Sequence, residues 1–238
     1  MSTTKIQYWR FSLFHRFIHV LVMTSFAGSA LSGMALKFRT AAWAKLAMRL
    51  MGGVPGAGWL HRVCAIVIAL YCLLHLAFII YYIVGRKGPI FGGSSMIPRP
   101  QDLIDLWRHF LYFIGKGPRP KFDRFTYWEK FDYWAVFWGV LIIGLSGLAL
   151  WFPNVATRFL PGIVLNIAQI MHSDEAVLAV GFIFVVHMFN THLRPEKFPV
   201  DMSIFTGKLP EEEIQREHAL EWERIKEDPS LMQKARVK

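Results

Sequence analysis

Met171 to Pro195 reads MHSDEAVLAVGFIFVVHMFNTHLRP, with His172 and His187 fifteen residues apart across an apolar run and His192 just beyond. On an α-helix, fifteen residues rise about 22 Å, most of the way across a hydrocarbon core roughly 30 Å thick. The same fifteen steps leave the two imidazoles only ~60° apart around the axis, so they share a face. An imidazole near each membrane surface, both aimed into a helix bundle, is the donor set that two stacked haems require. The partner imidazoles must then come from other spans.

The chain supplies such spans. Of its 238 residues, 54% are hydrophobic, too many for an ordinary soluble domain and enough for one small membrane bundle. The net charge of +10 would suggest nucleic acid in a soluble chain. Positive loops between apolar spans are better explained by membrane orientation, so lipid is the expected partner and nucleic acid is not. Cys64 and Cys72 share one apolar span and no C-x-x-C-H occurs, which argues against covalent c-type haem and a disulfide framework. The N-terminus has no short apolar run with a small-residue cleavage site, so it is expected to be retained. No internal repeat stands out.

Four spans are expected at 17–36, 60–84, 131–152 and 173–193, each near the ~20 residues that crossing requires. The first is rich in small residues (Ala27, Gly28, Ser29, Ala30, Ser32, Gly33), as close packing in lipid favours. Asp132 and Pro153 mark the expected limits of the third, and Trp134, Trp138 and Trp151 sit near its ends. Ala41 to Met51 and Leu103 to Ile114 have amphipathic spacing; Gly-Gly-Val-Pro-Gly closes the first and Asp102 is the expected cap of the second. In the charged tail, Ile214, His218, Trp222 and Ile225 form a helical stripe. A solvated tail helix and a docking helix for a partner subunit fit that stripe equally. The expected fold is an all-α integral membrane protein: a four-transmembrane-helix bundle with two short interfacial helices and a charged C-terminal tail helix. Residues 1–195 would form the haem-binding membrane domain and 196–238 a cytoplasmic tail.

Of the 27 basic residues, three precede the first span, nine lie in the second loop and nine in the tail. That excess predicts both termini in the cytoplasm of a bacterial-type inner membrane. His61 and His172 then fall near the outer side, and His19, His75 and His187 toward the inner side. His61 and His172 make the outer pair, while three histidines compete for two inner positions. A lone intramembrane histidine is often a hydrogen-bonded packing residue; two matched depths on three helices favour ligation. His15 is expected at the interface and His109 on the surface. His192 lies ~140° around an ideal helix from His187, so it could line a quinone pocket, pair with a haem propionate, bind a third haem or cap the helix. Arg16 and Arg194 are propionate candidates beside proposed ligands, as is Arg62; Arg10 is expected to snorkel to lipid phosphate. Zinc needs ligands converging on one point, and a carboxylate proton relay needs mid-membrane Asp or Glu, which the spans lack.

These motifs together resemble the cytochrome b subunits of formate dehydrogenases (the gamma subunit) and membrane-bound nickel-iron hydrogenases, a four-helix di-haem family. The resemblance runs from Phe11 to about Pro195. It rests on Arg16-Phe-Ile-His19, Leu31-Ser32-Gly33, Trp59-Leu60-His61, Tyr133-Trp134, Trp138-Gly139, Leu145-Ser146-Gly147, Leu150-Trp151, His172 and His187. It implies His19 and His187 as inner-haem ligands, His61 and His172 as outer-haem ligands, and a quinone site near Phe14, His15, Asn190 and His192. Two features depart from the pattern. The fourth-span spacing is fifteen instead of fourteen, which a local bulge or an altered ring orientation would accommodate. His75 has no required counterpart; with His61 it resembles the cytochrome b of bc complexes, where two helices supply all four ligands, so it stays an alternative inner or third-haem ligand. The stretch HMFNTHLRPEKFP resembles b-type subunits paired with multihaem cytochromes c.

The expected function is that of a membrane cytochrome b subunit of a respiratory oxidoreductase. Two b haems would pass electrons between an iron–sulfur or multihaem cytochrome c subunit and the quinone/quinol pool. The alternatives are a haem-free membrane anchor or small transporter with structural or proton-relaying histidines, and a stand-alone transmembrane reductase with soluble donors.

Overall fold

The computed structural model describes residues 6–237. Among them, four helices are long and apolar enough to cross a bilayer. They are α1 (Leu13–Lys37), α3 (Gly53–Ile80, continued by a wide turn over Tyr81–Gly85), α5 (Tyr127–Trp151) and α7 (Ile163–Phe182, continued by wide turns over Ile183–His187 and Phe189–Leu193). Two short helices lie between them: α2 (Ala42–Leu50) follows α1, and α4 (Pro100–Phe113) follows α3. A third, α6 (Pro153–Phe159), opens on its proline directly after α5. The tail adds α8 (Ser203–Thr206), α9 (Glu211–Glu217), α10 (Ala219–Glu227) and α11 (Pro229–Ala235). A two-stranded antiparallel ribbon pairs β1 (Gln7–Trp9) with β2 (Lys208–Pro210). The protein is thus an all-α multi-pass membrane protein.

Each span begins earlier than its hydrophobic run. Ser12 Oγ accepts the His15 N–H and starts α1. Gly52 and Gly53 both have positive φ and make the turn after α2, so Gly-Gly-Val-Pro-Gly opens α3 as well as closing α2. Pro55 is tolerated there because first-turn N–H groups have no intrahelical partner. Thr126 and Glu129 form a capping box, with the Thr126 N–H donating to Glu129 Oε2 at 2.8 Å and the Glu129 N–H to Thr126 Oγ1 at 3.3 Å. This fixes the start of α5 five residues before Asp132. Asp102 is likewise no cap: α4 begins at Pro100, and the Asp102 carboxylate reaches back to the Arg99 N–H. The fourth span starts ten residues before Ser173, which puts His172 well inside the helix.

Two compact units result, and they do not follow a single cut at residue 195. The bundle unit comprises 17–78 and 136–201; the tail unit comprises the N-terminal stretch to Arg16, 79–135 and 202 onward. In the bundle unit, α1 and α3 approach closely at Gly28, where an added Cβ would lie 2.5 Å from Cys64 Sγ. Arg62 of α3 stacks over Trp151 of α5, and Lys37 of α1 pairs with Asp174 of α7 at 2.7 Å. The Arg62 guanidinium, a propionate candidate from its position, therefore rests on an indole face.

In the tail unit, Tyr8, Leu209, Ile214 and Ile225 form the core, with Trp222 edge-on to Tyr8. The tail stripe is thus buried against its own N-terminal strand, and neither a solvated helix nor a partner-docking face describes it. Arg10 is corrected as well: only 6% exposed, it bonds Glu129 at 2.9 Å and the Arg124 carbonyl, so it does not snorkel. His109 is half-buried, bonded to the Tyr127 hydroxyl at 3.0 Å and stacked on Phe113, so it is not a surface residue.

Candidate functional site

The bundle unit brings four histidines together in two pairs. His61 of α3 faces His172 of α7 with ring centroids 6.0 Å apart and planes 75° to each other. His19 of α1 faces His187 at the end of α7 with centroids 6.4 Å apart and planes at 34°. Two imidazoles clamping one metal each hold a nitrogen ~2.0 Å from it, with the ring centre ~1.1 Å further out, so collinear ligands have centroids about 6.2 Å apart. Both gaps match that figure. Among the described residues, no three His, Cys, Asp or Glu side chains converge closely enough to hold a metal ion, so these donors meet in twos.

The two pairs lie at different depths. Gly33, which touches His61, is fourteen residues beyond His19 on α1, a rise of about 21 Å. On α7, fifteen residues separate His172 from His187, and the wide turn over Ile183–His187 lies between them. With i→i+5 bonding that turn takes up the extra residue, so the fifteen steps complete about four turns and both imidazoles share a face. Of the two ways to accommodate that spacing, a bulge or an altered ring orientation, the backbone contains the bulge. Such turns free backbone carbonyls that lipid cannot satisfy. Here Asn190 Nδ2 donates to the Val186 carbonyl at 2.9 Å, and Thr191 Oγ1 to that of His187 at 2.7 Å.

At the His61–His172 pair, each imidazole presses its Nδ1 edge against a neighbouring helix. His61 Nδ1 lies 3.2 Å from the Ser29 carbonyl and 3.1 Å from Ser32 Oγ. His172 Nδ1 lies 2.9 Å from the Ile143 carbonyl and 3.3 Å from Ser146 Oγ. A Cβ on Gly33 would stand 3.1 Å from His61 Cε1, and one on Gly147 2.9 Å from His172 Cε1. The same Ser-Gly cradle is therefore built twice, from Leu31-Ser32-Gly33 and Leu145-Ser146-Gly147. This is an internal repeat, which sequence inspection passed over. Recurrence of one tripeptide in two spans was the available signal.

At the His19–His187 pair, His19 Nδ1 is buried with no hydrogen-bond partner. Further polar groups follow in the sequence. The second wide turn carries His192 back toward the His187 side instead of ~140° away, and it lies in electrostatic range of His187 and His19. Its Nδ1 accepts the Asp201 N–H at 3.1 Å, so its neutral form carries the proton on Nε2. Asn190 spends its amide on the helix backbone. His75 packs against Phe78 and Phe137, with ring centroids 6.3 and 5.7 Å away. In the tail unit, the Arg16 side chain runs along Gly207, and its Nε is buried without a partner. Arg194 follows the last wide turn in extended conformation. His15 is anchored to Ser12, with Nδ1 2.7 Å from its hydroxyl.

The donor set fits a bis-imidazole haem site at each pair: two imidazoles from different helices, with ring centroids 6.0 and 6.4 Å apart. No family model matches the chain, and no curated protein matches it.

Proposed function

We propose that this protein is the membrane cytochrome b subunit of a respiratory oxidoreductase. His61 and His172 hold an outer b haem; His19 and His187 hold an inner one. The observation that carries the reading is the pair of histidine gaps, 6.0 and 6.4 Å, each the width of a bis-imidazole metal site, at two depths in a membrane bundle.

Bound there, the haems supply reversible one-electron exchange at iron. The chain does the rest. Four spans exclude water from the sites, and α7 contributes one imidazole to each, which fixes their separation. Arg194, which follows the last wide turn of α7, is the propionate partner that the bundle unit itself supplies at the inner side. His192 and Asn190 border the region where quinone would bind, with the His192 Nε2–H as the group able to donate to a quinone oxygen. Flanked by two phenylalanines, His75 serves as packing, and a third haem is not needed to explain it.

The redox partner that meets the outer haem is an iron–sulfur or multihaem cytochrome c subunit of the same complex. Both termini face the cytoplasm of a bacterial-type inner membrane, the side with the excess of Lys and Arg. The test is optical. In proteoliposomes, a quinol analogue should develop the sharp Soret and α bands of reduced bis-imidazole haem. A purified protein with no visible absorption, prepared to retain cofactors, would leave the haem-free anchor or transporter as the reading.

A further inference from the structure

The doubled cradle fixes a proton. Ser32 Oγ donates to the Gly28 carbonyl at 2.6 Å, and Ser146 Oγ donates to the Ile142 carbonyl at 2.7 Å. Each hydroxyl hydrogen is thereby committed to its own helix, and the hydroxyl oxygen is left as an acceptor. Facing that oxygen and a backbone carbonyl, the Nδ1 of His61 and of His172 each meets two acceptors and no donor. An imidazole nitrogen in that position must carry the hydrogen, and a neutral ring protonated at Nδ1 has its lone pair at Nε2.

The glycines set the direction. Without a Cβ at 33 or 147, the Cε1–Nδ1 edge of each ring can seat against the helix. The opposite edge, with Nε2, then points away from the cradle. At the other pair, His19 Nδ1 finds no such acceptor.

We propose that Ser32 and Ser146 are positioning residues: with the Ser29 and Ile143 carbonyls they lock His61 and His172 as Nδ1–H tautomers, so both rings of this pair are prepared for a metal. What Nε2 then binds rests on the haem reading above; the tautomers do not. An imidazole whose Nδ1–H is bonded to oxygen is the more basic ligand, and it favours the higher oxidation state of a bound metal. The haem held by this pair should therefore be the one whose potential responds to the two serines.

Two experiments test this on the full chain in lipid. The first is 15N-histidine solid-state NMR of protein prepared without haem, with signals assigned by His61→Gln and His172→Gln. Both histidines should show the Nδ1–H tautomer. Ser32→Ala and Ser146→Ala, which leave the backbone carbonyl as the one remaining acceptor, should each shift their own histidine's Nδ1–H resonance, while Ser32→Thr and Ser146→Thr, which keep a hydroxyl, should leave it in place. An Nε2–H tautomer at either histidine, or alanine variants indistinguishable from the parent, would overturn the proposal. The second is potentiometric titration of the haem-loaded protein. The double alanine variant should raise one haem's potential and leave the other in place; equal shifts, or none, would contradict it. A chain that binds no haem would sink the proposed function, while the tautomer measurement would still decide the role of the serines.

Discussion

Gly33 and Gly147 show how much of a ligand site can lie in a missing side chain. A Cβ at 147 would press within 2.9 Å of His172 Cε1, and the γ-methyls of valine would drive the ring out of line with its partner. Gly147→Val should therefore lower the haem-to-protein ratio from two to one, as read by pyridine haemochrome, with the α-helical circular dichroism retained. Ring orientation gives a second prediction. The imidazole planes of His61 and His172 are near perpendicular at 75°, and those of His19 and His187 only 34° apart. Low-temperature EPR of the oxidised protein should resolve two low-spin species, one strongly anisotropic and one rhombic, and His61→Ala should remove the anisotropic one. At this scale the sequence was informative about residue type and depth, because four histidines at two levels survive any small error in helix limits. It was silent on contacts made by backbone oxygen. Nothing in a residue string marks Ser29 or Ile143 as the source of an accepting carbonyl.

Elements were legible where hydropathy governs them and less so where capping does. All four spans follow from composition, yet α5 begins at a Thr-x-x-Glu box that a search for apolar residues steps past. The angle of His192 was misjudged because an ideal 3.6-residue repeat was carried through the wide turns of α7. Helix α4 is instructive in another way. Its inward side is polar: Asp102 pairs with the buried Lys130 at 2.8 Å, Asp105 accepts from Gln101, and His109 meets Tyr127. Leu103, Trp107 and Phe110 face outward and are exposed. Each large apolar side chain left in water forgoes about 1.5–3 kcal/mol, so this face belongs in the lipid interface. Nitroxide labels scanned along residues 102–110 should show high oxygen and low nickel-chelate accessibility at 103, 107 and 110, and the reverse pattern of immobilisation at 102, 105 and 109. High nickel-chelate accessibility at Trp107 would put α4 in water.

At the scale of the molecule, the tail is the feature that a linear reading missed. The apolar stripe on α9 and α10 was visible, but its partner, a three-residue strand some two hundred positions earlier, carries no local signal. Burial of His218 beside Arg10 gives this unit a pH dependence. Its Nδ1–H donates to the Asp123 carbonyl at 2.9 Å. Burial, with the Arg10 guanidinium adding to it, holds the imidazole below its ordinary range, against the opposing pull of Glu129, the Asp123 carbonyl and Glu221. The folded unit thus prefers neutral His218. Its contribution is fully present above the unfolded value of about 6.5 and is lost as the pH falls through the lower folded value. Proteolysis of the tail should accelerate between pH 7.5 and 5, and His218→Gln should flatten that dependence; an unchanged profile in the variant would assign the acid sensitivity elsewhere.

The central claim is that the bundle holds two haems between four histidines on three helices. The most direct measurement is the haem content of the purified chain beside His172→Ala and His75→Ala. Two haems in the parent, one in His172→Ala and two in His75→Ala are the expected values. A parent with no haem, or a His75→Ala variant that loses one while His172→Ala keeps both, would contradict the account.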